Sequence, residues 1–267
     1  MTDFATHLFR IMGRHAPPSP QGDRQMKAQT HDFRDGNGPV PSHIHTRGGG
    51  WVADTAHVDK SAHIGRDAQV FGDALVSGNA WVCGSARVYG NAQVFGDAQV
   101  FGDALVCGSA RVCGNALVHD NAWVYGNARV SGDALVCGNA WVYGNALVYD
   151  DAWVYGNSLV HDNAWVYGNA LVCGNARVYD DAWVKRGMYT STPTSITRSD
   201  GYMFTLQSDG SIVAGCRDFT PDEAKAWQSL VPLTPSKRHV PNTTTKETDM
   251  NHTERPCAAH AAPARMQ

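Results

Sequence analysis

Glutamate is missing from half of this 267-residue chain: between Val52 and Val184 there are thirteen Asp and no Glu, against six Lys or Arg. That stretch carries about −7 while the whole chain carries −3, so the flanks are mildly basic and neither a nucleic-acid binder nor a strongly acidic decoy is indicated. Long apolar runs are lacking too. The opening "MTDFATHLFRIMGRH" holds no secretory core, and no later segment approaches the roughly 18 apolar residues of a membrane span. The reading is of a soluble, unexported chain with no membrane or nucleic-acid partner. The seven Cys form no C-x-x-C pair, which argues against a cysteine metal knuckle and for reduced thiols.

What is present is repetition. Val or Ile stands at every sixth position from Val52 to Val184, Ile64 being the only Ile, and Ala stands two residues before each from Ala56 to Ala182, with Ser158 the single exception. The unit is Ala-x-Val-x-Gly-(Asn/Asp). Residues two apart share one side of an extended strand, so Ala and Val point inward together. Gly followed by Asn or Asp supplies the residues that best tolerate a tight, positive-φ corner. A period of six fits neither the 3.6 of a helix nor the longer strands of a hairpin meander. Three units make a coil of eighteen residues that returns above its own start, stacking Val on Val at about 4.8 Å, which gives about seven coils.

Phrases such as "GDAQVFGDALVCGSARV" resemble the hexapeptide-repeat proteins, and the resemblance runs from Val52 to Val184. It implies a left-handed parallel β-helix; the spacing alone gives only the three-sided coil. The expected organisation is all-β: a flexible arm over 1–50, the β-helix over 51–187, a ββα cap over 188–234 and a disordered tail over 235–267. In the arm, "FATHLFRIM" (4–12) could form a short amphipathic helix. In the cap, "GYMFTLQ" and "SIVAGCRDF" read as strands around a turn at Ser208-Asp209-Gly210, and Thr220 with Pro221 reads as a helix start. "SDGY", "AGCR" and "FTPDEA" in this segment resemble the tails of uncharacterised phage and prophage hexapeptide-repeat proteins, which implies a bacterial host cytoplasm or a virion as the setting.

With Val and Ala inside, the residues flanking each Val point out. Grouped by eighteen, they place Trp123 on Trp141, Tyr125 on Tyr143, Trp165 on Trp183 and Tyr149 on Tyr167, and these eight residues are the candidate binding surface. Stacked aromatics can serve stability alone, at roughly 0.2–1 kcal/mol a pair. Several coils of Trp, Tyr and Leu, however, exceed the few hundred Å² of apolar patch usual on a monomer, so another chain or the flanking segments should cover some faces.

The favoured function is a non-catalytic structural or interaction rod that binds a protein partner or itself, with a homotrimer possible, and without cofactor or metal. The alternative is an acyltransferase of the acetyl-CoA type, since many hexapeptide-repeat proteins transfer acyl groups as trimers with a His base near a protruding loop. Here no loop leaves the repeat, and the central histidines, His119 and His161, each sit in "VHDNAWV" where Tyr, Phe or Cys stands elsewhere. His43, His45, His57 and His63 crowd the first coil but should not converge on a metal. Ice binding would need Thr ladders, and after Thr55 the repeat has none.

Overall fold

The computed structural model describes residues 29–197, 203–214 and 217–223. Each hexad forms a two-residue strand, such as Leu135–Val136, followed by a corner. The Val side chains from Val70 to Val184, with Val52 and Ile64, are wholly buried, and the Ala residues from Ala62 to Ala182 line the same core. From Val70 to Val178 the second residue after each Val takes the left-handed conformation. From Gly72 to Gly174 the corner glycines have φ between 59° and 76°, and Asp120, Asp150, Asp162 and Asp180 hold the same place at 56° to 59°. Corners also stack closely: a Cβ on Gly126 would lie 3.0 Å from the Gly144 nitrogen.

Strands pair in parallel with the strand eighteen residues on, as in Leu105 with Trp123 and Trp123 with Trp141. The residue before Val donates to an Ala carbonyl of the next coil and the residue after Val to a Val carbonyl, as Trp123 N to Ala140 O at 2.9 Å and Tyr125 N to Val142 O at 3.0 Å. Three faces result: the first runs from Trp51 to Arg177, the second from His57 to Trp183, and the third from His63 through Leu171. The solenoid goes on one rung beyond the last Val. A register shift after Val166 places Met188 and Tyr189 over Leu171 and Val172, giving about eight coils. Tyr189, 6% exposed, takes the inward place that Val holds below it, so a ring plugs the top of the core.

The expectation of a linker up to residue 50 gives way, over residues 29–50, to an ordered lower cap. Thr30–Asp32 pairs antiparallel with Pro39–Ile44, which pairs antiparallel with Trp51–Ala53 of the first coil. Phe33, 1% exposed, stacks on Phe71 at 4.8 Å, and His31 stacks on Trp51 at 4.3 Å. The apolar lower end of the first face supplies the burial that orders this polar, Gly- and Pro-rich segment. Below the third face the turn at Arg47–Gly50, bridged from Gly49 to Gly65, meets the edge: Ile64 N donates to Arg47 O, and Gly50 N to Ile64 O, both at 2.9 Å. A side chain on Gly48 would collide with the Ile64 carbonyl.

At the upper end, Ser195–Thr197, Met203–Leu206, Ile212–Ala214 and Arg217–Phe219 form a four-stranded antiparallel sheet. The ββα expectation is corrected in one respect: "SIVAGCRDF" is two strands that fold back on each other, with Ile212 opposite Phe219. Residues 221–223 begin a helix, and Thr220 and Glu223 make a reciprocal capping box there. The rest of that helix, the segment 4–12 and the tail from 235 lie outside the described residues.

This module docks through side chains. Thr205 Oγ1 accepts from Trp183 N at 3.1 Å and Gln207 Oε1 from Lys185 N at 2.9 Å. One coil lower, the equivalent Trp165 N donates to Ala182 O. The two buried side chains therefore stand in for the carbonyls of a further coil. Gln207 Nε2 also donates to Trp183 O at 2.9 Å, and Tyr189 OH to Gln207 Oε1 at 3.1 Å. Cys83, Cys113, Cys137 and Cys173 carry free thiols.

Candidate functional site

The coil register places every nominated aromatic where the eighteen-residue grouping put it. Trp123 stacks on Trp141 at 4.9 Å and Tyr125 on Tyr143 at 4.9 Å, both within 4° of parallel. On the second face Trp165 stacks on Trp183 at 4.3 Å and Tyr149 on Tyr167 at 5.1 Å. Within each set a tyrosine edge meets an indole of the rung above, as Tyr125 with Trp141 at 6.3 Å and Tyr149 with Trp165 at 6.1 Å. Ring spacing equals rung spacing, so each ring lies flat on the next and covers it. All eight are half-buried, and burial raises the phenol pKa of Tyr125, Tyr143, Tyr149 and Tyr167, the last to about 12.

The eight do not form one surface. Trp123, Tyr125, Trp141 and Tyr143 are on the first face, and Tyr149, Trp165, Tyr167 and Trp183 on the second. The first-face stack runs further than its tyrosines suggest, through His161 at 4.8 Å and on to Tyr179 at 5.5 Å. His161 thus serves as an aromatic rung. His119 is on the third face, stacked on Phe101 at 4.7 Å, and neither histidine stands beside a loop that leaves the coil.

An apolar ladder with two exposed rungs was not among the nominated residues. On the third face Leu117, Leu135, Trp153, Leu171 and Met188 follow one another rung by rung. Trp153 is 47% exposed and Met188 55%, as against the half-buried indoles of the other faces. The signal was in the sequence, because the same grouping aligns Leu117, Leu135, Trp153 and Leu171; the ladder sets a single indole among leucines and so contains no paired rings. The lower first face, by contrast, is covered by the chain's own hairpin, and the Arg87 guanidinium adds a cation–π contact over Phe71 at 5.0 Å.

The edges of the prism carry a second feature that the nominated residues omit. Corner amides form ladders, Asn121 to Asn139 to Asn157 to Asn175 and Asn127 to Asn145 to Asn163 to Asp181, with Nδ2–Oδ1 distances of 3.0–3.3 Å. An open groove of about 470 Å³ at the upper end is lined by Asn145, Asp162, Asn163, Asp180, Asp181, Thr197 and Met203. The histidines near the first coil go separate ways. His43 meets Asp54 at 2.9 Å, His45 Nε2 meets the Ala62 carbonyl at 3.1 Å, and His63 stacks on Trp81.

Stacked parallel rungs, a valine core and repeated left-handed corners define a β-solenoid repeat protein. Six segments, 68–84, 110–126, 122–138, 128–144, 140–156 and 170–186, match the YdcK beta-solenoid repeat model, so the chain is similar to that family over part of its coils. No curated protein matches the chain. Among the described residues no helix is long and apolar enough to cross a membrane.

Proposed function

We propose that this chain is a non-catalytic interaction rod that associates through its faces, with a second copy of itself as the first partner. The observation that carries the reading is the third-face ladder: five apolar rungs from Leu117 to Met188, about 19 Å long at strand spacing, with Trp153 and Met188 exposed and the three leucines half-buried. A flat, straight apolar strip suits another flat β-surface, and the stacked indoles of the first and second faces flank it with rigid rings of low entropy cost. The corners carry the acidic residues, which keeps charge off the strip and at its rim. Capped ends favour side-by-side over end-to-end contact.

Light scattering across concentration tests this. Wild-type chain should give a mass that is a fixed multiple of the protomer, and Trp153→Lys should shift it to the monomer while the β-rich circular dichroism persists. Trp123→Ala with Trp141→Ala should weaken association only if the first face also contributes. A wild-type mass equal to one chain at all concentrations would remove self-association as the role.

A further inference from the structure

We propose that His119, Asp120 and Cys137 form a binding site for a Zn²⁺-type divalent metal. His119 and Cys137 hold the same post-valine position on successive rungs of the third face, and Asp120 is the corner beside His119. The His119 Nδ1, an Asp120 carboxylate oxygen and the Cys137 Sγ all lie within 4.8 Å of one another. Nδ1 is buried, and Asp120 Oδ1 lies 3.2 Å from it. An imidazole nitrogen, a carboxylate oxygen and a thiol sulfur thus converge on one point at the corner.

The backbone holds all three groups before any metal arrives. His119 N donates to Val136 O and Cys137 N to Val154 O, each at 3.0 Å. Asp120 is fixed in the left-handed region at φ 59°, and Gly138 N donates to its Oδ2 at 3.1 Å, which leaves Oδ1 turned toward the imidazole. Phe101 beneath His119 sets the ring plane. Ligand lengths of about 2.0–2.3 Å place donor atoms of a tetrahedral site roughly 3.3–3.6 Å apart, so a small rotamer shift of Cys137 closes the set. A thiolate beside an imidazole selects zinc-like ions over Mg²⁺ or Ca²⁺, and the exposed side of the corner leaves the fourth position to water.

The chain contains its own control. The second "VHDNAWV" places His161 Nδ1 2.9 Å from Asp162 in a true hydrogen bond, but the rung above carries Tyr179 where the first copy has a thiol above it. One site per chain is therefore expected, at the first copy alone.

Co²⁺ serves as the probe, added to metal-free full-length protein and followed by absorption. One equivalent should bind with a thiolate-to-cobalt charge-transfer band and tetrahedral d–d bands. Cys137→Ser should abolish the charge-transfer band, and His161→Ala should leave it intact. His119→Asn should weaken affinity at least roughly tenfold, since even outer partners of a metal ligand cost that much; it also decides the question if Cys137→Ser fails to fold by circular dichroism. Absence of the thiolate band in the wild type, its survival in Cys137→Ser, or unchanged affinity in His119→Asn would overturn the site. These spectra are independent of oligomeric mass.

Discussion

A side chain at a left-handed corner is tolerated here only on certain terms. At Gly126, φ is +71° and an added Cβ would meet the Gly144 nitrogen at 3.0 Å, so Gly126→Ala should lose about 1–2 kcal/mol through backbone strain alone. Aspartate has a remedy. At the equivalent corners Asp120, Asp150 and Asp162 accept a hydrogen bond from the backbone N–H of the corner above, at 3.1, 3.3 and 3.4 Å. Gly126→Asp should therefore cost less than Gly126→Ala, the difference being on the order of one hydrogen bond, about 1 kcal/mol. Urea unfolding of the two variants decides this, and an alanine variant as stable as the aspartate one would show that the corner carboxylates contribute nothing.

Among the elements, the lower cap carries two histidines whose titration burial shifts. Burial holds the pKa of both His31 and His45 below the ordinary 6.5; His45 keeps its Nε2–H on the Ala62 carbonyl. The unfolded chain takes up protons near pH 6.5 while the folded cap resists them, so the unfolded state binds more protons as pH falls. The contribution of these two residues is whole above pH 6.5 and is lost as pH falls below it through their lowered folded-state values. Hydrogen exchange, corrected for intrinsic rate, should show weaker protection at pH 5 than at pH 7 for Ser42 N and His45 N, which bond Gln29 O and Gly50 O, while mid-solenoid amides such as Trp123 N stay unchanged. His45→Gln should flatten that dependence. This cap also marks where sequence reasoning stopped. The solenoid was legible because each hexad states its own fold: inward Val, inward Ala, a corner that needs positive φ. Strand pairing at multiples of eighteen follows from that local rule, and so do the ring stacks. The hairpin over 30–44 obeys no such rule, since its order comes from Phe33 and His31 finding Phe71 and Trp51, contacts far apart in the chain. Tyr189 was hidden for a related reason, because it takes a valine's place after a step one residue short.

At the scale of the whole molecule, the two ends decide what kind of assembly is open to the rod. Each of the three parallel ladders leaves an edge at either end of the rod, and an uncovered edge pairs with whatever strand it meets. The lower first-face edge is closed by backbone, through antiparallel pairing with Pro39–Ile44. The upper second-face edge is closed by two side chains, Thr205 and Gln207, that accept from Trp183 N and Lys185 N, with Lys185 and Arg186 pairing Asp218 in support. Side chains are easier to remove than a strand. Thr205→Val with Gln207→Leu keeps the bulk of both residues but deletes the acceptors, leaving buried donors that cost about 1–3 kcal/mol each, so the module should undock and free the edge of the last coil. Only one end is then exposed. Two identical free edges can satisfy each other in a closed, two-fold pair, and a pair of that kind offers nothing further to grow from. The variant should therefore show twice the wild-type particle mass by light scattering, with no fibres by electron microscopy. Fibres would mean that the lower hairpin peels away as well, and an unchanged mass with Trp183 and Lys185 amides still protected would mean that the two side chains do not hold the cap in place.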